Sequence, residues 1–258
     1  MDFDKALKSF EKYVSNFDEE NGKILLKKRH TYGVVKISEY IAKGLNLSEE
    51  DIFLSKIIAL LHDIGRFEQV RKSNNFGGVA HADLGVEILK ENNFIREFIS
   101  ISKFDDIIYA AILNHSKLTI EDGLDSRSLL HAKIIRDADK VDNFRVKSFD
   151  DFESVMNSSL EILERSHISE DTYKKFMTNK SLIFADTKTP LDVWLFFLAF
   201  TFDINFSDSL VYIKNKNYIN LMIDRIDYKD YKVKEMMENI RLHLLQYIEN
   251  RLVENKNC

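Results

Sequence analysis

Among the side chains able to bind divalent metals in this 258-residue chain, six stand out by their local pattern: His30, the adjacent pair His62-Asp63, His81, His115 and Asp139. Imidazole nitrogen and carboxylate oxygen together suit Mn, Fe, Co, Ni or Zn. The residues are too far apart to share one loop, so separate helices must bring them together, as bundles do when they build metal sites in their interiors. The local pattern agrees. His62-Asp63 closes an apolar face behind Leu60-Leu61, His115 continues the Ile107-Ile108-Ala111-Ile112 stripe, and Asp139 lies one helical turn after Ile135. A polar group on an apolar stripe points inward, where an unpaired carboxylate is costly and a metal satisfies it. Taken singly, each residue has a plainer reading. His115 alone is a hydrogen-bonded core histidine, Asp139 a helix-end or salt-bridge carboxylate, and His30, behind Lys27-Lys28-Arg29, a surface residue. His131 and His167 have no supporting pattern and read as surface or structural residues, and His243, between Leu242 and Leu244 on a long helix, reads as structural.

The elements that must position these groups are helices. The chain has one proline, Pro190, and eight glycines, fewer turn-formers than a many-stranded fold needs. Leu54, Ile57, Ile58 and Leu61 follow helical spacing, as do Met236, Ile240, Leu244 and Tyr247 in a helix running to about Val253. Gly44 is placed as the glycine just past the helix carrying Tyr40 and Ile41. Ser48, with Asp51 three residues on, reads as the next N-cap. Gly65 follows that helix, Gly77-Gly78 marks a loop before a helix starting near Ala82, and Gly123 precedes a helix from about Ser126 to Val141. Pro190 suits the first turn of an aromatic helix, Leu191 to Asp203. The fold expected is all-α, with a helical core over 1–150 that holds the chemistry. Residues 151–258 are expected to form a C-terminal helical extension packed on it, the two making one structural unit. Its aromatics, Trp194 to Phe202, read as core or subunit contact, or else as a wall that stacks on a nucleobase.

Bulk properties bound the function. Apolar residues at 45 % supply a substantial core, and charges at 31 %, mixed in sign, give a solvated surface. A net charge of -5 argues against a nucleic-acid-binding surface. The only cysteine is Cys258, which excludes an intramolecular disulfide and a cysteine-ligated zinc site. The start, Met1-Asp2-Phe3-Asp4-Lys5, lacks the features of a signal peptide, and the longest apolar stretch, Val193 to Phe200, is too short to cross a membrane. A cytoplasmic location is expected.

In order and in flanking residues the set resembles the HD-domain metal-dependent phosphohydrolase superfamily, with an HDIG-type motif. Arg29-His30-Thr31-Tyr32-Gly33-Val34 resembles the first motif, and Leu60-Leu61-His62-Asp63-Ile64-Gly65-Arg66 the defining one. His81-Ala82-Asp83-Leu84-Gly85-Val86-Glu87-Ile88-Leu89, Asn114-His115-Ser116 and Arg136-Asp137-Ala138-Asp139-Lys140-Val141-Asp142 resemble the remaining segments. The likeness covers roughly residues 25 to 150. It implies an all-α HD bundle in which His30, His62, Asp63 and Asp139 hold a first metal. In the two-metal branch Asp63 bridges to a second ion held by His81 and His115; in the one-metal alternative these two histidines line the substrate pocket. No Gly-Tyr-Pro signature occurs and Ser116 follows His115, which counts against cyclic-dinucleotide specificity.

The activity implied is hydrolysis of a phosphate mono- or diester, nucleotide-like or a small phosphorylated metabolite, by metal-activated water. Asp63 and Arg66 are the expected catalytic residues, with Arg66, Lys117 and Lys140 binding the phosphate. Lys117 can also be read as a solvated loop lysine, and Lys140 as a partner of Asp137 or Asp142. The alternatives are a di-iron oxygenase of the same superfamily and a non-catalytic binding protein that kept the fold. Substrate, metal identity and oligomeric state are not legible in the sequence.

Overall fold

A computed structural model of the chain describes residues 2–74 and 80–254. Gly77-Gly78 and Cys258, both used above, lie outside the described residues. Every regular element among those residues is helical, as expected. The chain divides into two compact units, Met1–Asp142 and Asn143–Cys258.

The first unit contains α1 (Phe3–Val14), α2 (Gly22–Gly44), α3 (Glu49–Leu61), α4 (Ile64–Ser73), α5 (His81–Lys90), α6 (Asp105–Asn114) and most of α7 (Ser126–Phe149). Helix α3 packs on α1, α2 and α6, while α4 and α5 pack on each other. Leu54, Ile57, Ile58 and Leu61 are all buried, as their spacing predicts. On α6, Ile108, Ala111 and Ile112 are buried and Ile107 only half so. Phe10 of α1 meets Phe67 of α4 edge to face, with ring centroids 5.8 Å apart.

Helix ends follow local chemistry, with one correction. Ser48 caps α3, accepting from the Asp51 amide at 3.1 Å and donating to its carboxylate at 2.7 Å. Gly44, however, is the last residue of α2 and not the residue beyond it. The left-handed position belongs to Asn46, with φ 53°. The amides of Asn46 and Leu47 bond the carbonyls of Lys43 and Ala42, at 3.0 and 3.1 Å. That is a Schellman ending, with asparagine where glycine is commonest. Gly65 follows the end of α3, as expected, and lies in the first turn of α4. Gly123, at φ 85°, breaks the chain before α7 as expected.

Helix α7 runs to Phe149, eight residues beyond the expected Val141, and the division between units falls within it. The second unit continues with α8 (Phe152–Met156), α9 (Leu160–Glu164), α10 (Glu170–Phe176), α11 (Pro190–Leu198), α12 (Ser207–Asn215), α13 (Tyr218–Asp224) and α14 (Tyr231–Glu254). Pro190 stands in the first turn of α11, which passes into a 3-10 turn over Ala199–Asp203. Trp194 is fully buried and stacks on Phe152, with ring centroids 5.6 Å apart, so it belongs to this unit's core. On α14 the buried stripe is Val233, Met237, Ile240, Leu244 and Ile248; Met236 and Tyr247, placed on it by spacing, are only half-buried. Among the described residues no helix is long and apolar enough to cross a membrane.

Candidate metal centre

All six candidate ligands converge inside the first unit, and each element delivers its residue by a local device. His62 is the C-cap residue of α3 and His115 that of α6. Each turns its ring back on its own helix. His62 Nδ1 lies 2.7 Å from the Ala59 carbonyl, and His115 Nδ1 2.6 Å from that of Ile112. A carbonyl only accepts, so each Nδ1 carries the proton and each Nε2 presents a lone pair. His30, in mid-α2, is held by Asp142 at 2.8 Å on its Nδ1 side. Such outer partners fix the ring orientation and basicity of metal-ligating histidines.

Asp63 is the N-cap residue of α4, yet its carboxylate makes no capping bond. The side chain turns instead into the histidine cluster. Its Oδ2 lies 3.6 Å from His62 Nε2 and 3.9 Å from His30 Nε2. Its Oδ1 lies 3.3 Å from His81 Nε2 and 3.7 Å from His115 Nε2. One carboxylate therefore faces two nitrogen sets, one with each oxygen. Asp139 joins the first set, 3.0 Å from His30 Nε2 and 4.0 Å from His62 Nε2. His81 and His115 approach to 2.9 Å through their Nε2 atoms.

Two glycines permit these approaches. A Cβ on Gly33 would stand 1.9 Å from Asp142 Oδ1, so a side chain there would displace the anchor of His30. A Cβ on Gly65 would meet the His81 carbonyl at 2.3 Å, so glycine lets the start of α5 close on Asp63.

The donor set fits a divalent cation. His62 Nε2 is buried and has no hydrogen-bond partner. Its lone pair faces two carboxylates, which are themselves acceptors. Burial, the largest influence on His62, pulls its pKa down to about 4 and leaves it neutral. Burial works against ionisation of Asp63, but Lys27 and the surrounding histidines outweigh it and hold the carboxyl well below the ordinary range. Asp139 is lowered too, because its bond to His30 overcomes burial. Neutral imidazole facing ionised carboxylate, lone pair to lone pair, is repulsive until a cation lies between them. Two groups close enough to share one ion are His30–His62–Asp139 and His62–Asp63–His115. His30 behaves differently: burial and Lys27 pull it down, but its bonds to Asp139 and Asp142 leave it above its ordinary value.

Of the expected phosphate contacts, Arg66 reaches the centre, with Nε 3.5 Å from Asp63 Oδ1. Lys140 is buried next to Asp139 in the chain. Lys117 is ion-paired with Glu121. Sequence reasoning gave no role in the centre to Lys27, whose Nζ lies 2.7 Å from Asp63 Oδ2, or to Asp142. A signal for each existed, since Lys27 lies one helical turn before His30 and Asp142 one turn after Asp139. His131 is not a surface residue: it is buried between Ser55 and Asp51, at 3.2 and 3.1 Å.

Residues 28–143 match the family model described as HD domain. That segment is similar to the HD domain, a superfamily whose members are mostly metal-dependent hydrolases. No curated protein and no solved structure shows a significant match to this chain.

Proposed function

We propose that this chain is a metal-dependent phosphohydrolase acting on a phosphate mono- or diester, nucleotide-like or a small phosphorylated metabolite, with two divalent transition-metal ions. The observation that carries the reading is the double-faced Asp63. His30, His62, Asp139 and Asp63 Oδ2 would hold one ion; His81, His115 and Asp63 Oδ1 would hold the other. Ions in such sites acidify bound water and polarise phosphoryl oxygens. The rest of the work falls to the chain. Asp63 keeps its negative charge and orients both halves of the centre. Arg66 offers a planar cationic fork to the non-bridging oxygens, and Lys140 adds positive charge beside Asp139. Asp142 holds the His30 imidazole in place, and the helix-end carbonyls do the same for His62 and His115.

Metal per chain, measured by elemental analysis after anaerobic purification without chelators, tests this reading. Close to two ions is expected, falling toward one in His115→Ala. A panel of phosphate mono- and diesters should then show hydrolysis that Arg66→Ala lowers by about 100-fold with metal content retained. Oxygen uptake by an all-iron protein without ester hydrolysis would replace the proposal with the oxygenase reading. Metal binding without turnover of any ester would leave a binding protein.

A further inference from the structure

His115 stands one residue beyond the end of α6, where terminal carbonyls have no amide donors of their own. Two side chains organise that end. Asn114 donates to the Ala110 carbonyl at 2.9 Å and accepts from the Glu121 amide at 2.9 Å. Arg136 arrives from α7. Its guanidinium donates to the carbonyls of Asn114, at 3.0 Å, Lys117, and Leu118, at 3.2 Å. One planar cation thus grips the backbone on both sides of His115. Arg136 is only 2 % exposed, and burying a guanidinium is costly unless its donors are well used. Arg136 also lies one helical turn before Asp139, which lies one turn before Asp142. The same side of α7 therefore carries a candidate ligand, the anchor of His30 and the grip on the His115 turn.

We propose that Arg136 is a positioning residue for the His81–His115 half of the centre. It sets the His115 turn at a fixed distance from Asp139, so that His115 Nε2 faces Asp63 Oδ1. It does so without touching metal or substrate. The proposal rests on the two-ion reading above. Lysine cannot replace it, because a single ammonium cannot present divergent donors in one plane to three carbonyls.

The test is Co2+ binding, followed by calorimetric titration and elemental analysis, in wild type, Arg136→Lys, His115→Ala and the double variant. Circular dichroism and thermal unfolding in chelator report folding. Arg136→Lys is expected to unfold cooperatively, to keep one ion per chain at wild-type affinity and to bind the second at least tenfold more weakly. Adding Arg136→Lys to His115→Ala should change nothing further in metal binding, because a residue acting through His115 has no effect once His115 is gone. Weakening of both ions together, or an unchanged second ion, overturns the proposal. If Arg136→Lys does not fold, Arg136→Gln, which removes the buried charge and keeps an amide donor, carries the comparison. Failure of both to fold makes the guanidinium a folding requirement and overturns the positioning role. A wild-type protein that binds only one ion defeats the two-ion reading itself, a different result from any of these.

Discussion

Lys27 and Asp63 form an ion pair at 2.7 Å in which the carboxylate is 3 % exposed and the lysine side chain 16 %. Removing one partner of a buried pair strands the other charge, and the cost lies near 3 kcal/mol for a pair at the less buried end of the range. Lys27→Met should therefore lower the denaturant-unfolding free energy of chelator-treated protein by about 3 kcal/mol. It should also tighten metal binding, because the ammonium and a divalent ion compete for Asp63 Oδ2. Unchanged stability and unchanged affinity would make the pair incidental. Residues of this kind were poorly legible in the sequence. His62 and His115 announced themselves by ending apolar stripes. Lys27 and Asp142 lie among other charged residues, and their partners, Asp63 and His30, are 36 and 112 positions away. The one local signal, a position one helical turn from His30 or Asp139, does not say which partner each will meet once the fold is closed.

Among the elements, α3 and α7 are tied by a buried polar link. His131 of α7 lies between Ser55 and Asp51 of α3, and Arg127 of α7 bonds Asp51 at 2.7 Å and Glu50 at 2.8 Å. Burial lowers the His131 pKa below its ordinary 6.5, and the bond to Asp51 only partly opposes it. The sign follows. Below about pH 6.5 the unfolded chain takes up a proton that folded His131 refuses, so stability falls with pH from there down to the lower folded value. One proton bounds the slope in that window at about 1.4 kcal/mol per pH unit. Thermal unfolding of wild type and His131→Gln between pH 7.5 and 5 checks this: the difference between them should shrink as the pH falls. A constant difference would remove His131 as the source. At this scale the sequence was mostly readable, since burial stripes and caps are local. Ser48 was legible as a cap because its partner is three residues away. The end of α2 was misread because Asn46 took the left-handed position that Gly44, two residues earlier, was expected to prepare.

For the molecule as a whole, the HD segment, residues 28–143, and the first unit, ending at Asp142, stop within one residue of each other. The boundary expected at 150 lay further on, where the composition changes. Helix α7 carries no glycine or proline to mark the division that falls inside it. All six candidate ligands lie in the first unit, one from each of six helices, α2 to α7, or their ends. An unfolded chain cannot present them together, so metal binding stabilises only the folded form. At a free-ion concentration a thousandfold above Kd the gain is about 4 kcal/mol. Calorimetry with and without chelator should show a clear rise in Tm on metal loading, diminished in His115→Ala. A Tm indifferent to metal would leave the cluster without an ion. The residues after 150 matched no readable motif; of their aromatic run Trp194 lies in the core, while Phe196, Phe197, Phe200 and Phe202 are only half-buried.

The bond between His30 and Asp142 spans 112 positions, nearly the full length of the first unit. Loop closure on that scale is an entropic debt that local helices cannot reduce, and topologies that carry it fold slowly. The His30 side of the centre therefore cannot close before α7 has joined α2. A chain still emerging during synthesis, with α7 not yet made, has neither Asp139 nor the anchor for His30. On the two-ion reading, the half of the centre that needs His30 and Asp139 could take up its ion only once α7 has been made.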